Sequence, residues 1–167
     1  FIPMIVVSSI LLYQFHISFN EKYYAYLEEL LEKHKQKIDT FLTEKLGNIK
    51  FLVADSNFDN LTDELFLQEK LTIFQNAHGS VFIDLGVVNS EGVQVAYAGP
   101  FKLVKADYAE AEWFKVAIKR QYFVSDVFLG LRGHPHFIVA VKVNSGDREW
   151  VVRATVNFTA FNSLVEN

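Results

Sequence analysis

The 167-residue chain has no cysteine, which excludes disulfides, thiolate metal ligands and thiol nucleophiles together. Proline is scarce: Pro3, Pro100 and Pro135 are the three, so none interrupts residues 20–54. Positive charge is not in excess either. Sixteen Lys and Arg stand against twenty Asp and Glu, a net charge of −4, so there is no basic footprint for nucleic acid. A Ser-His-Asp order, a glycine-rich phosphate loop and paired carboxylates of clear geometry are also missing. No catalysis is expected within this chain, and neither a cofactor nor a metal is implied. What is present is apolar: half the residues are hydrophobic and aromatics are abundant. That excludes disorder and provides for a sizeable core. The length suits one domain plus an appendage.

The appendage lies at the start. Residues 1–19, FIPMIVVSSILLYQFHISF, carry no acidic or basic side chain apart from His16. A bilayer core needs roughly 20 apolar residues as helix, so the stretch predicts the outer part of a transmembrane helix. Tyr13, Phe15 and Phe19 would then sit near the interface, where aromatics collect. Over residues 20–54 the apolar positions Tyr23, Tyr26, Leu27, Leu30, Leu31, Ile38, Phe41, Leu42, Leu46, Ile49, Leu52 and Val53 recur at three and four. That spacing predicts one long amphipathic helix. At 1.5 Å per residue it would span about 50 Å, too long for one small domain to cover. It reads as a stalk, and a homodimer through this stalk is the economical expectation.

Residues 55–60 form a polar break. Thr62 or Asp63 then caps a second, short helix reaching about Ala77, ended by His78-Gly79. Beyond Gly79 the period changes to two. Residues 81–88 and 93–98 predict a hairpin around Asn89-Ser90-Glu91-Gly92. Residues 107–119 predict a helix burying Tyr108, Trp113, Phe114, Ala117 and Ile118. Strands follow at 122–129, 136–143 and 149–157, the last two joined at Asn144-Ser145-Gly146-Asp147. Residues 158–167 begin another helix, a connection to a following module. The fold class is α+β: a long N-terminal helix, a short second helix, and a PAS-like five-stranded antiparallel sheet with a crossing helix. Asp84, in mid-strand, is expected to face solvent or a turn.

The stretch Tyr122–His136, YFVSDVFLGLRGHPH, concentrates polar groups at the end of an apolar strand. Such groups cost desolvation unless something pairs with them. A bound ligand is one partner and solvent the other. Arg132 and His134 would offer positive charge to an anion. His134 and His136 together are a weak metal signal without further ligands.

Four motifs then carry a resemblance. AYAGPF (Ala96–Phe101), DYAEAEWF (Asp107–Phe114), YFVSDVFLG (Tyr122–Gly130) and PHFIVAV (Pro135–Val141) resemble the extracytoplasmic Cache sensor domains of bacterial two-component sensor histidine kinases. The likeness covers essentially the whole chain, with the layout of the membrane-distal module of a double-Cache receptor. It implies a sensor module over residues 55–157 that binds a small molecule outside the bacterial inner membrane and signals through the stalk. A chemoreceptor or a cyclic-dinucleotide enzyme would use the same front end. A ligand-free structural ectodomain is the alternative.

The resemblance also implies where a ligand would lie. The roof would be Tyr97, Phe101, Tyr108, Trp113 and Phe114. The floor would be Tyr122, Val124, Asp126 and Phe128, with Arg153, Thr155 and Asn157 from the last strand. Asp126 stands where amino-acid-binding members hold the ligand's ammonium. Two family positions differ. Ala111 and Glu112 precede Trp113 where those members have an arginine for the carboxylate, and the last strand ends in Asn157 rather than an aspartate. The missing arginine removes the strongest carboxylate contact and argues against a free amino acid.

Overall fold

A computed structural model of the chain describes residues 2–101, 103, 105–130 and 133–166. Among the expected site residues, Arg132 lies outside the described set. The chain divides into two compact units, Phe1–Asp39 and Thr40–Asn167.

The first unit belongs to one helix, α1 (Ile2–Ala54). Here its apolar side chains are exposed, among them Leu11, Leu12, Phe15, Phe19, Tyr23 and Leu31. Phe19 stacks on Phe15 at 6.3 Å and on Tyr23 at 6.4 Å. No helix among the described residues is long and apolar enough to cross a membrane.

In the second unit α1 buries Phe41, Lys45, Ile49 and Leu52, steps of four, four and three that keep one face inward. The polar break holds a helical turn of its own, α2 (Phe58–Thr62). Asn57 Oδ1 caps it by accepting from the Asn60 amide at 2.9 Å, and Phe58 meets the Trp150 ring at 4.4 Å. Local capping and one aromatic contact thus make a helix where composition predicts a loop. Asp63 caps α3 (Glu64–His78), which buries Leu67 and Leu71 at a spacing of four.

The sheet comprises β1 (Phe82–Asn89), β2 (Gln94–Ala98), β3 (Tyr122–Val124), β4 (His136–Ser145) and β5 (Arg148–Asn157). Its order is β2-β1-β5-β4-β3, and every neighbouring pair is antiparallel. Both faces of β5 are covered, so Trp150–Val156 is buried throughout, and the run is apolar apart from Arg153 and Thr155. One face packs Leu85, Val87, Val139, Val152 and Ala154 against α1, α2 and α3. The other packs Val88, Ile138, Ala140 and Val151 against Tyr108, Trp113 and Phe114. The helix α5 (Phe158–Glu166) follows β5, and Phe161 lies 5.7 Å from Phe41.

Two expected elements are shorter than the sequence pattern. The crossing helix α4 spans only Glu112–Ala117. Residues before it are pinned to the β1–β2 hairpin: Tyr108 N donates to Gly92 O at 2.8 Å, and Val93 bridges Asp107. A Cβ at Gly92 would lie 2.5 Å from the Ala109 backbone, so this approach requires glycine. The third strand ends at Val124 instead of Leu129. There the Ser125 hydroxyl, not its carbonyl, accepts from Ile138 N at 2.9 Å, and regular pairing stops.

Candidate functional site

The face opposite the long helices divides into a polar half and an open half. The polar half centres on Arg153 of β5, which is fully buried with Asp84 of β1. Asp84 is therefore not at the surface, contrary to its expected place. A bulge in β1 between Phe82 and Asp84 puts the carboxylate directly opposite Thr155 on this face. Arg153 Nη1 donates to Asp84 Oδ1 at 2.6 Å and to Thr155 Oγ1 at 3.1 Å, and Thr155 Oγ1 donates to Asp84 Oδ1 at 2.7 Å. Arg153 Nη2 donates to Gln94 Oε1 at 2.5 Å and to the Tyr108 hydroxyl at 3.2 Å. Gln94 Nε2 donates in turn to the Leu103 carbonyl. Tyr97 OH donates to Asp84 Oδ2 at 3.4 Å and accepts from Phe101 N at 3.2 Å.

Gly86 makes room for this arrangement. A Cβ there would lie 2.6 Å from Gln94 Oε1 and 3.1 Å from Arg153 Cζ. Burial acts to lower the Arg153 pKa, but the Asp84 carboxylate and the nearby tyrosines raise it above the ordinary arginine value. The guanidinium stays charged, and its partners make that burial tolerable.

Beside it, under α4, lies a cavity of about 640 Å³. Its roof is Asp107, Tyr108, Ala111, Glu112, Trp113 and Val116. Its floor is Phe123, Ser125, Asp126, Phe128, Gly130 and Ile138. Trp113 stands edge-on to Tyr108 at 5.1 Å, and both are almost fully buried. The lining is therefore mainly apolar and aromatic, as small-molecule sites are. Asp107, Glu112 and Asp126 are exposed at its rim.

Of the expected site residues, the cavity brings together Tyr108, Trp113, Asp126 and Phe128. Phe114 is buried behind Trp113 at 5.8 Å and does not line it. Tyr97 and Phe101 belong to the Arg153–Asp84 network instead. Tyr122 and Val124 point to the opposite face: Lys50 of α1 sits 3.9 Å over the Tyr122 ring, and Val124 joins the helix-side core. Asn157 borders a second cavity of about 460 Å³, with Gln75, Phe82 and Pro100, and its Oδ1 accepts from Thr159 N at 2.9 Å. His134 does not line the main cavity; its carbonyl accepts from Nδ1–H of the buried His136 at 2.7 Å. Among the described residues no three His, Asp or Glu side chains gather as a metal site.

Sequence reasoning overlooked Phe123, Asp107 and Glu112, and marked Ser125 only as one of the polar groups of residues 122–136. Both the odd and the even positions of 122–128 are largely apolar, so alternation alone does not choose a face. The pairing Phe123↔Ala140 does. Phe128, an even position, reaches the cavity because the irregular stretch after Val124 resets the alternation.

No family model matches the chain, and no curated protein matches it in sequence. Its fold is shared with solved ligand-binding domains. The sensory domain of the Campylobacter jejuni chemoreceptor Tlp3, with isoleucine bound, superposes with a TM-score of 0.66 at 13% identity, over 82% of this chain and 60% of that one. The ligand-binding domain of the Pseudomonas aeruginosa PAO1 amino acid chemoreceptor PctB, in complex with L-Gln, gives 0.66 at 16%, over 84% and 57%. The extracellular domain of a candidate histidine kinase, vpHK1S-Z8, gives 0.62 at 15%, over 82% and 58%. The chain thus spans about three fifths of the length of these structures. At such identities the likeness establishes the fold alone, the one these ligand-binding and sensory domains share.

Proposed function

We propose that this chain is the ligand-sensing part of a transmembrane receptor, binding a small molecule outside the cell membrane. The carrying observation is the 640 Å³ aromatic cavity between α4 and the sheet. Its fold is one that solved chemoreceptor domains use to hold isoleucine and L-Gln. The finer reading is a membrane-distal module of a bacterial sensor histidine kinase, anchored in the inner membrane through residues 1–19 and dimeric through α1. The exposed apolar side chains of the first unit support a packing role for that helix beyond its own domain. A ligand would signal by favouring one of two arrangements of the receptor, and only to the extent that it binds them differently.

The test is thermal unfolding of the chain against a panel of carboxylates, amines, amino acids and purines. A sensor is stabilised by one chemical class, and Trp113→Ala abolishes that shift. A spacer without a ligand shows no shift with any class, and that result overturns the proposal.

A further inference from the structure

Resting on the sensing reading, we infer that the cavity takes an organic cation, with ammonium groups at the rim and an apolar body against the rings. The polar atoms available to a ligand are almost all acceptors. Asp107 and Glu112 line the cavity from the roof and Asp126 from the floor, so acidic residues border it on both sides, although Asp107 Oδ1 already accepts from Ala109 N at 2.9 Å. None of the three has a described basic side chain within ion-pair distance. Lys115, the basic residue of α4, is spent on Glu110 at 2.8 Å. No described Lys, Arg or His lines the cavity.

The hydroxyls supply little in their place. Ser125 donates to the Asp126 carbonyl at 2.8 Å and accepts from Ile138 N. The Tyr108 hydroxyl accepts from Arg153 Nη2 at 3.2 Å, which leaves its own hydrogen as one neutral donor and no positive charge. The guanidinium itself, the one strong cation on this face among the described residues, is held by Asp84, Thr155 and Gln94 and does not line the cavity. An anionic ligand would therefore add charge of the same sign to a rim whose acidic residues have no described basic side chain within ion-pair distance. A cation would relieve it through charge-assisted hydrogen bonds.

The interior agrees with the rim. Tyr108, Trp113, Phe123 and Phe128 present aromatic surface, which attracts cations through the ring quadrupole and accepts an apolar chain equally well. An amino acid brings a carboxylate for which the described lining offers no cationic partner. The inferred class is thus an amine or diamine without an acid group.

Four compounds on one four-carbon chain isolate the charge: 1,4-diaminobutane, 1-aminobutane, 4-aminobutanoate and succinate. Calorimetric titration of the chain at low and high salt is the readout. Affinity is expected to fall in that order and to weaken with salt. Asp126→Asn and Glu112→Gln are each expected to weaken the diamine about tenfold, with the unfolding midpoint of each unliganded variant as the control for folding. Tighter binding of 4-aminobutanoate or succinate overturns the inference, as does diamine binding indifferent to both substitutions or failure of every amine. A panel compound without positive charge that binds through Trp113 overturns it while leaving the sensing reading intact. If nothing in the series or the panel binds, both fall.

Discussion

Arg153 and Asp84, 69 positions apart in sequence, meet at 2.6 Å with both side chains fully buried. Through this pair β1, β2, β5 and the segment carrying Tyr108 share one hydrogen-bonded centre. The roof of the cavity is therefore tied to the middle of the sheet.

Removing one member of the pair leaves the other as a buried, uncompensated charge. Asp84→Ala is expected to cost about 3–5 kcal/mol in urea unfolding. Replacing both, as Asp84→Leu with Arg153→Met, is expected to recover much of that loss, because neither charge then remains. A double variant less stable than the single one would contradict this account.

Gly86→Ala is expected to destabilise by about 1–3 kcal/mol, the usual cost of overpacking. Its Cβ would lie 2.6 Å from Gln94 Oε1, so the amide and Arg153 must shift together. Tyr108 should follow them. Calorimetry for any cavity ligand should record weaker binding in this variant, although residue 86 does not line the cavity.

The pairing of β3 makes opposite predictions for adjacent residues. Phe123→Ala should weaken binding of a cavity ligand, since its ring forms part of the floor. Tyr122→Ala should leave that affinity unchanged, since its ring lies under Lys50 on the other face. Equal effects on affinity would mean that the strand's register is wrong by one residue.

Acid should loosen the contact of α1 with the end of α3. The Glu44 carboxyl is held below its usual 4.5 first by its hydrogen bond to Lys45, against some burial, and then by the charges of Lys45 and His78. A depressed folded pKa means the contribution is complete above the unfolded value and is lost as pH falls through the folded one. Glu44 is half exposed, so the contribution is small, under about 1 kcal/mol. Glu44→Gln should lose that much at neutral pH and converge on the parent chain as pH falls through the lowered folded pKa. Thermal midpoints of both proteins across pH 3–7 would check it.

Much of the fold is legible in local sequence patterns. The two periods, the turn at Asn89–Gly92 and the Asp63 cap place most elements within a few residues. The misplacements have identifiable causes. Phe58 and Leu61 are helical because Asn57 caps them and Trp150 receives the Phe58 ring, a long-range contact that composition does not reveal. The crossing helix loses its first turn to hydrogen bonds with Gly92, which no local pattern signals.

The candidate site is legible in part. Trp113 and Tyr108 are both expected on the buried side of the segment after Pro100 and both line the roof, Trp113 from α4 and Tyr108 from the extended stretch bonded to Gly92. Asp126 and Phe128 reach the cavity only because Ser125 breaks the ladder with its hydroxyl. Glu112 stands out in the sequence only for occupying a place where an arginine is expected, and its position at the rim is a property of where α4 begins.

By itself, the sequence determined the element order, the α+β class, the long amphipathic α1 and the absence of thiol chemistry. Those follow from local periodicity, capping and composition, which act within a few residues. Only the tertiary structure decided which face Phe123 shows, that Asp84 is buried, and that the rim offers carboxylates without a described basic partner. A strand's side chains alternate with a period of two, so its face depends on register, and register is set by strands distant in the chain. Likewise, a buried charge is tolerable only if a distant partner arrives, and Arg153 comes from the last strand of the sheet.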